Sequence, residues 1–113
     1  MYNLKNKVQL LGNLGAAPEV RTTDNGRKLV RLRVATNETY KNANGEKITD
    51  TQWHSVVAWG TTADIAEQYL TKGSEVMVEG KLQYREYTDK EGVKRTAAEI
   101  QAASILLLDK KAA

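Results

Sequence analysis

From Lys28 to Tyr40 the apolar residues Val30, Leu32 and Val34 are separated by Arg31 and Arg33. That is the period of two of a half-buried β-strand, with the aliphatic residues inward and the arginines outward. Strand-like runs also occupy Lys5–Leu14, Thr51–Trp59, Ser74–Tyr87 and Lys94–Leu108, so the pattern predicts five strands. Turn residues punctuate them at Asp24-Asn25-Gly26, Asn42–Gly45 and Asp89–Gly92. Gly15 and Pro18 break or bulge the end of the first strand. One stretch has a different period. Ile65, Ala66, Tyr69 and Leu70 recur at helical spacing and predict a helix over Ala63–Lys72, with Tyr69 in the core. Thr61 or Thr62 would cap its start, Asp64 favours its first turn, and Gly73 suits its stop.

Three strands, a short helix and two strands is the order of the OB-fold, an all-β Greek-key barrel of five strands. Such barrels bind oligonucleotides and oligosaccharides across the face of their second and third strands. Trp53 and Trp59 stand at even spacing on the third strand, so both indoles point to one face. That face is either a slab of core or a stacking platform. Trp53 lies between Gln52 and His54 and is expected to be exposed; Trp59, beside Val57 and Ala58, fits core and platform equally well. Tyr40 and Tyr87 end the second and fourth strands at the base of hairpins, flanked by Lys41 and Arg85. Single-stranded nucleic acid needs flat rings for its unstacked bases and cations for its phosphates. Tyr40, Trp53, Trp59 and Tyr87 could supply the first, and Arg31, Arg33 and Arg85 the second. Taken alone, Arg31 and Arg33 also fit a solvated strand face, and Tyr84 fits core or interface.

Composition narrows the choice. There is no Phe, yet there are 2 Trp and 5 Tyr among 113 residues. Rings with a polar handle are favoured at binding surfaces. The net charge of +3 is unevenly placed: residues 1–60 hold nine Lys/Arg against five Asp/Glu, and residues 61–113 hold eight against nine. The basic half fits an anionic partner or a chance imbalance on a solvated surface. With 0 Cys and 1 His, at His54, neither a disulfide nor a usual zinc site can form, and no metal or cofactor is expected. No phosphate loop or spaced carboxylate pair is present, which argues against an enzyme. No apolar run approaches the roughly 20 residues of a membrane span, and the N-terminus lacks a signal-peptide core. A soluble, cytoplasmic protein is expected.

An ordered set of short motifs adds a family. Gly12-Asn-Leu-Gly15, Pro18-Glu-Val-Arg21, Asn25-Gly26, Val34-Ala-Thr36, Trp53-His54, Gly60, Tyr69-Leu-Thr-Lys-Gly-Ser74, Val78-Glu-Gly80-Lys-Leu82 and Thr88-Asp89 fall in sequence. Together they resemble the bacterial single-stranded-DNA-binding proteins, homotetrameric OB-fold proteins that coat DNA in replication, recombination and repair. The resemblance covers about residues 4–108, so the barrel is expected over 1–108, with a short basic end at 109–113.

The resemblance implies roles. Tyr40, Trp53, Trp59 and Tyr87 take the positions of the family's stacking aromatics, Trp59 where Phe is common and Tyr87 where Trp is common. Arg21, Lys72 and Arg85 take basic positions near the DNA. Strand one, including Lys5, Val8 and Leu10, would pair across a dimer, and His54 would lie near the subunit interface of a dimer of dimers. It also implies association with the nucleoid. Ser55 and Thr61-Thr62 stand where the family often carries Arg and Lys, which would lower affinity or its salt dependence. The chain closes on Leu108-Asp-Lys-Lys-Ala-Ala113, where the family usually continues into a disordered tail with an acidic tip. Tail-dependent replication and repair partners are therefore not expected. The alternative is an OB-fold adaptor of the primosomal type, working mainly through protein contacts.

Overall fold

The computed structural model describes residues 4–108, and the expected basic end at 109–113 lies outside them. The elements run β1 (Val8–Leu14), β2 (Glu19–Thr22), β3 (Lys28–Lys41), β4 (Lys47–Trp59), α1 (Gly60–Tyr69), β5 (Glu75–Thr88) and β6 (Lys94–Leu107). The five long runs read from the alternation are β1, β3, β4, β5 and β6. Neighbouring strands follow the order β1-β5-β6-β4-β3, and β1 returns to pair with β3 at Asn13–Ala35 and Leu14–Val34. That last pairing closes a five-stranded barrel, the architecture expected from the element order. Closure leaves few free sheet edges.

One strand was not foreseen. After Gly15 and Pro18 the chain resumes as β2, which pairs with the start of β3, Lys28 to Arg31, on the edge where β1 takes Val34 and Ala35. The break at Gly15 and Pro18 thus redirects the chain along β3. All four β2 residues are exposed, so no apolar alternation announced it.

Inside the barrel Val30, Leu32, Val34, Val56, Val76 and Val78 are fully buried. These branched side chains suit a pleated, crowded interior. Arg31 and Arg33 alternate outward, as the pattern required. Gly12 makes the closure possible: a Cβ there would stand 2.1 Å from the carbonyl oxygen of Ala35. At the tip of the β3–β4 hairpin the Asn42 side-chain oxygen accepts from the backbone N–H groups of Asn44 and Glu46. Gly45 takes the left-handed φ of +80° that this turn requires.

The helix is shifted from its expected position. It begins three residues earlier, at Gly60, with Trp59 at the N-cap and no side-chain cap from Thr61 or Thr62; its first turn holds no acid. Its buried face is Ala63, Ala66 and Leu70, so Tyr69 is 55% exposed and not part of the core. The reason is close approach. Two alanines let the helix sit against β3, β4 and β6, and Lys28 on β3 reaches Asp64 at 3.0 Å and Glu67 at 2.6 Å. With the alanine face packed inward, the neighbouring stripe, Ile65 and Tyr69, faces solvent. Helix termination follows at Leu70, and Gly73, at φ +90°, belongs to the next loop, where its N–H donates to the Leu14 carbonyl.

Candidate nucleic-acid interface

Register partners share a face. On β3 and β4 the outward pairs are Leu29–Trp59, Arg31–Val57, Arg33–Ser55 and Ala35–Trp53. β4 continues into β6 through Val57–Gln101, and β6 into β5 through Gln101–Lys81, Glu99–Gln83, Ala97–Arg85 and Arg95–Tyr87. One outer surface therefore carries both tryptophans, Arg31, Arg33, Arg85 and Tyr87. Most of the candidate residues are brought together by sheet order alone.

Trp53 is 52% exposed and lies over Gly15, where a Cβ would stand 2.3 Å from ring atom Cζ3. Gly15 is held there by its N–H bond to the Arg33 carbonyl, 3.0 Å. The Arg33 guanidinium stands 5.3 Å from the centroid of the Trp53 ring, a cation–π distance. The exposure expected for Trp53 is thus observed, on a slot that only glycine leaves open. Trp59 is half-buried, with the Arg27 guanidinium 4.6 Å from its centroid. It is divided between the two roles that its sequence context left open. Tyr87 is exposed beside Arg85, 5.4 Å from Cζ to centroid.

Tyr40 is exposed but belongs, by alternation, with Ile48 on the opposite side of the β3–β4 hairpin from Trp53. A two-stranded ribbon twists strongly, and Tyr40 stands five residues past Ala35, the partner of Trp53, toward the hairpin tip. Tyr84 shares the inward parity of Leu82 yet is 69% exposed, because it lies beyond the barrel's packed section.

The cations fall into two groups. Arg33 and Lys72 make no ion pair among the described residues. Lys72 precedes Gly73, whose N–H bonds the Leu14 carbonyl, so its backbone lies near the end of β1. The others are already paired. Arg21 bonds Glu19, with Nε 2.6 Å from Oε1. Arg31 and Arg85 both reach Glu99, at 2.8 Å and 3.3 Å. Glu99 is 3% exposed, although it sits on the outer face. Burial works to raise its pKa, but the guanidiniums of Arg85 and Arg31 prevail and hold the carboxyl below its ordinary value.

Glu99, Arg27 and Gly15 are the interface residues that the sequence reading missed. Arg27 could have been found, since it lies two before Leu29, the partner of Trp59. Glu99 required knowing that β6 lies between β5 and β4.

The expected subunit-contact residues divide as well. Val8 and Leu10 are partly buried against the core, and His54 bonds Thr36, Nε2 to Oγ1 2.9 Å. The exposed apolar residue of β1 is instead Leu11. It pairs with Met77, which pairs with Leu106, so the three form one row across β1, β5 and β6. Lys5 is exposed ahead of β1. No helix of the described chain is long and apolar enough to cross a membrane, and no group of metal-ligating side chains occurs among the described residues.

Comparison with known proteins bears on the family and the fold. The model of the single-strand binding protein family matches residues 5–108. The single-stranded DNA-binding protein 1 of Xylella fastidiosa is 47% identical over 94% of this chain and 79% of its own. The single-stranded DNA-binding protein of Neisseria meningitidis is 44% identical over 91% of this chain, which spans only 59% of that relative's length. Among solved structures, a Plasmodium falciparum SSB in complex with ssDNA superposes with a TM-score of 0.84 at 28% identity, covering 96% of this chain and 99% of that one. A Thermus aquaticus single-stranded DNA binding protein gives a TM-score of 0.78 at 31% identity, covering 92% of this chain and 50% of that one.

Proposed function

The chain belongs to the single-strand binding protein family, and from that premise we propose that it binds single-stranded DNA without regard to sequence. Bases stack on Trp53, Tyr87, Tyr40 and the open part of Trp59, while Arg33, Lys72, Arg31, Arg85 and Arg21 face phosphates. The observation that carries this reading is Trp53: a half-exposed indole seated on Gly15 and flanked by an arginine without an acid partner among the described residues. Exposing so much apolar ring costs burial energy; a base stacked on it recovers about 1–3 kcal/mol and does so for any base, since every base has a π-face. The work is binding and protection of DNA in replication, recombination and repair, without catalysis.

Assembly into a homotetramer is part of the proposal. Among the described residues β1 meets β3 only at Asn13 and Leu14, and no other described strand covers its edge from Val8 to Gly12, which suits pairing with a second copy. The row Leu11, Met77 and Leu106 offers a separate apolar strip, with Leu11 and Leu106 both more than half exposed. An adaptor working mainly through protein contacts is not favoured, since it has no use for four aromatic side chains and their flanking arginines. Fluorescence anisotropy with labelled oligo-dT and a duplex of equal length tests the function. Tight binding of the single strand and weak binding of the duplex are expected; equal binding to both would overturn it.

A further inference from the structure

Arg31 and Arg85 come from β3 and β5, which are not neighbours in the sheet. They meet because Glu99, on β6 between them, accepts from both: Arg31 Nη1 to Oε2 at 2.8 Å, and Arg85 Nη2 and Nε to Oε2 and Oε1 at 3.3 Å. On the reading that this face binds single-stranded DNA, we propose that Glu99 is a charge-limiting residue of the interface. Two guanidiniums and one carboxylate leave a net charge of +1, and an arriving phosphate competes with Glu99 for the same N–H donors.

One general consideration and two observations support this role over a purely structural one. First, a buried ion pair is weak grounds for stability, since its desolvation cost offsets much of its attraction and apolar residues of like volume often serve as well. Second, the carboxylate is 3% exposed while the arginine side chains are 27% and 48% exposed. The acid is sealed into the sheet surface, and the cations it restrains remain open to solvent on the side a strand would approach. Third, Arg33 on the same face has no such restraint. The surface therefore pairs an unrestrained cation beside Trp53 with a restrained pair at the sheet centre, where a phosphate would be held more weakly.

The test compares the wild-type chain with Glu99→Gln, which keeps shape and an acceptor oxygen but removes the charge. The probe is a labelled dT oligomer of about eight nucleotides, within the span of one OB-fold, titrated across a salt series. The variant should show a salt slope steeper by about 0.7, the value of one more neutralised phosphate on a single strand, and about fivefold tighter binding at 0.1 M salt. The double variant Arg85→Gln/Glu99→Gln restores the net charge and should return the slope to the wild-type value. An unchanged or shallower slope in Glu99→Gln, with the wild-type protein binding normally, overturns this inference alone. Absence of wild-type binding overturns the DNA reading and this inference with it. A measurement without any substitution stands beside these: the side-chain carboxyl resonance of Glu99 should move on addition of the oligomer, and a resonance that stays in place at saturation contradicts the competition.

Discussion

Gly15 forms the seat of Trp53. A Cβ on Gly15 would come within 2.3 Å of the indole, so the position of the ring depends on an absent side chain. No positive φ is involved, so alanine is sterically allowed by the backbone and the conflict falls on the ring alone.

Gly15→Ala should therefore keep the fold and lift the Trp53 ring. Affinity for oligo-dT should fall by up to the roughly 1–3 kcal/mol of one stacked base. In a double-mutant cycle Gly15→Ala should add little to Trp53→Ala, because both remove the same platform. Isothermal titration of the four proteins checks this; additive losses would separate Gly15 from the ring.

The two tryptophans should separate binding from stability. Trp53→Ala removes an exposed ring and should weaken binding by about 1–3 kcal/mol with little change in thermal midpoint. Trp59 is half-buried and stands at the start of α1. Its loss should lower both affinity and midpoint. Thermal melts beside the titrations distinguish them, and equal midpoints for the two variants would contradict the partition.

Arg33 and Arg21 should not be equivalent. Arg33 has no acid partner among the described residues, whereas Arg21 is bonded to Glu19. Arg33→Ala should make the salt slope shallower by about 0.7, and Arg21→Ala by less. The same salt series measures both, and the reverse order would contradict the assignment.

Much of the barrel was legible because burial imposed alternation: Val30, Leu32 and Val34 cannot trade places with Arg31 and Arg33 without putting guanidiniums in the core. The helix register was not, because Ala63 and Ala66 carry a weak apolar signal beside Ile65 and Tyr69, and only tertiary packing against β3, β4 and β6 selects the stripe of small residues. Trp53 was legible from its polar neighbours. Its seat on Gly15 was not, since that contact arises only when β1 closes on β3. Glu99 was hidden for the same kind of reason, its two partners arriving from strands far apart in sequence.

Acid should loosen the sheet centre. Glu99 is held below its ordinary value of 4.5, the arginines overcoming burial, and Asp89 below 3.8, through Arg95 and the N–H groups of Val93 and Glu91. Depressed carboxylates contribute stability that is fully present above their unfolded pKa and is lost as pH falls through the lower folded value. The thermal midpoint should thus hold above about pH 5 and decline below the ordinary carboxylate range. Glu99→Gln should flatten part of that decline. A decline of equal depth in the variant would exclude Glu99 as its source.

The central claim, that the Trp53 face takes up single-stranded DNA by stacking, is tested most directly by tryptophan fluorescence during titration with oligo-dT at low salt. The account predicts saturable quenching that is strongly reduced by Trp53→Ala, leaving only the part due to Trp59, and is mostly retained by a Trp59→Tyr variant. Emission unchanged at micromolar protein, while the chain remains folded, would contradict it.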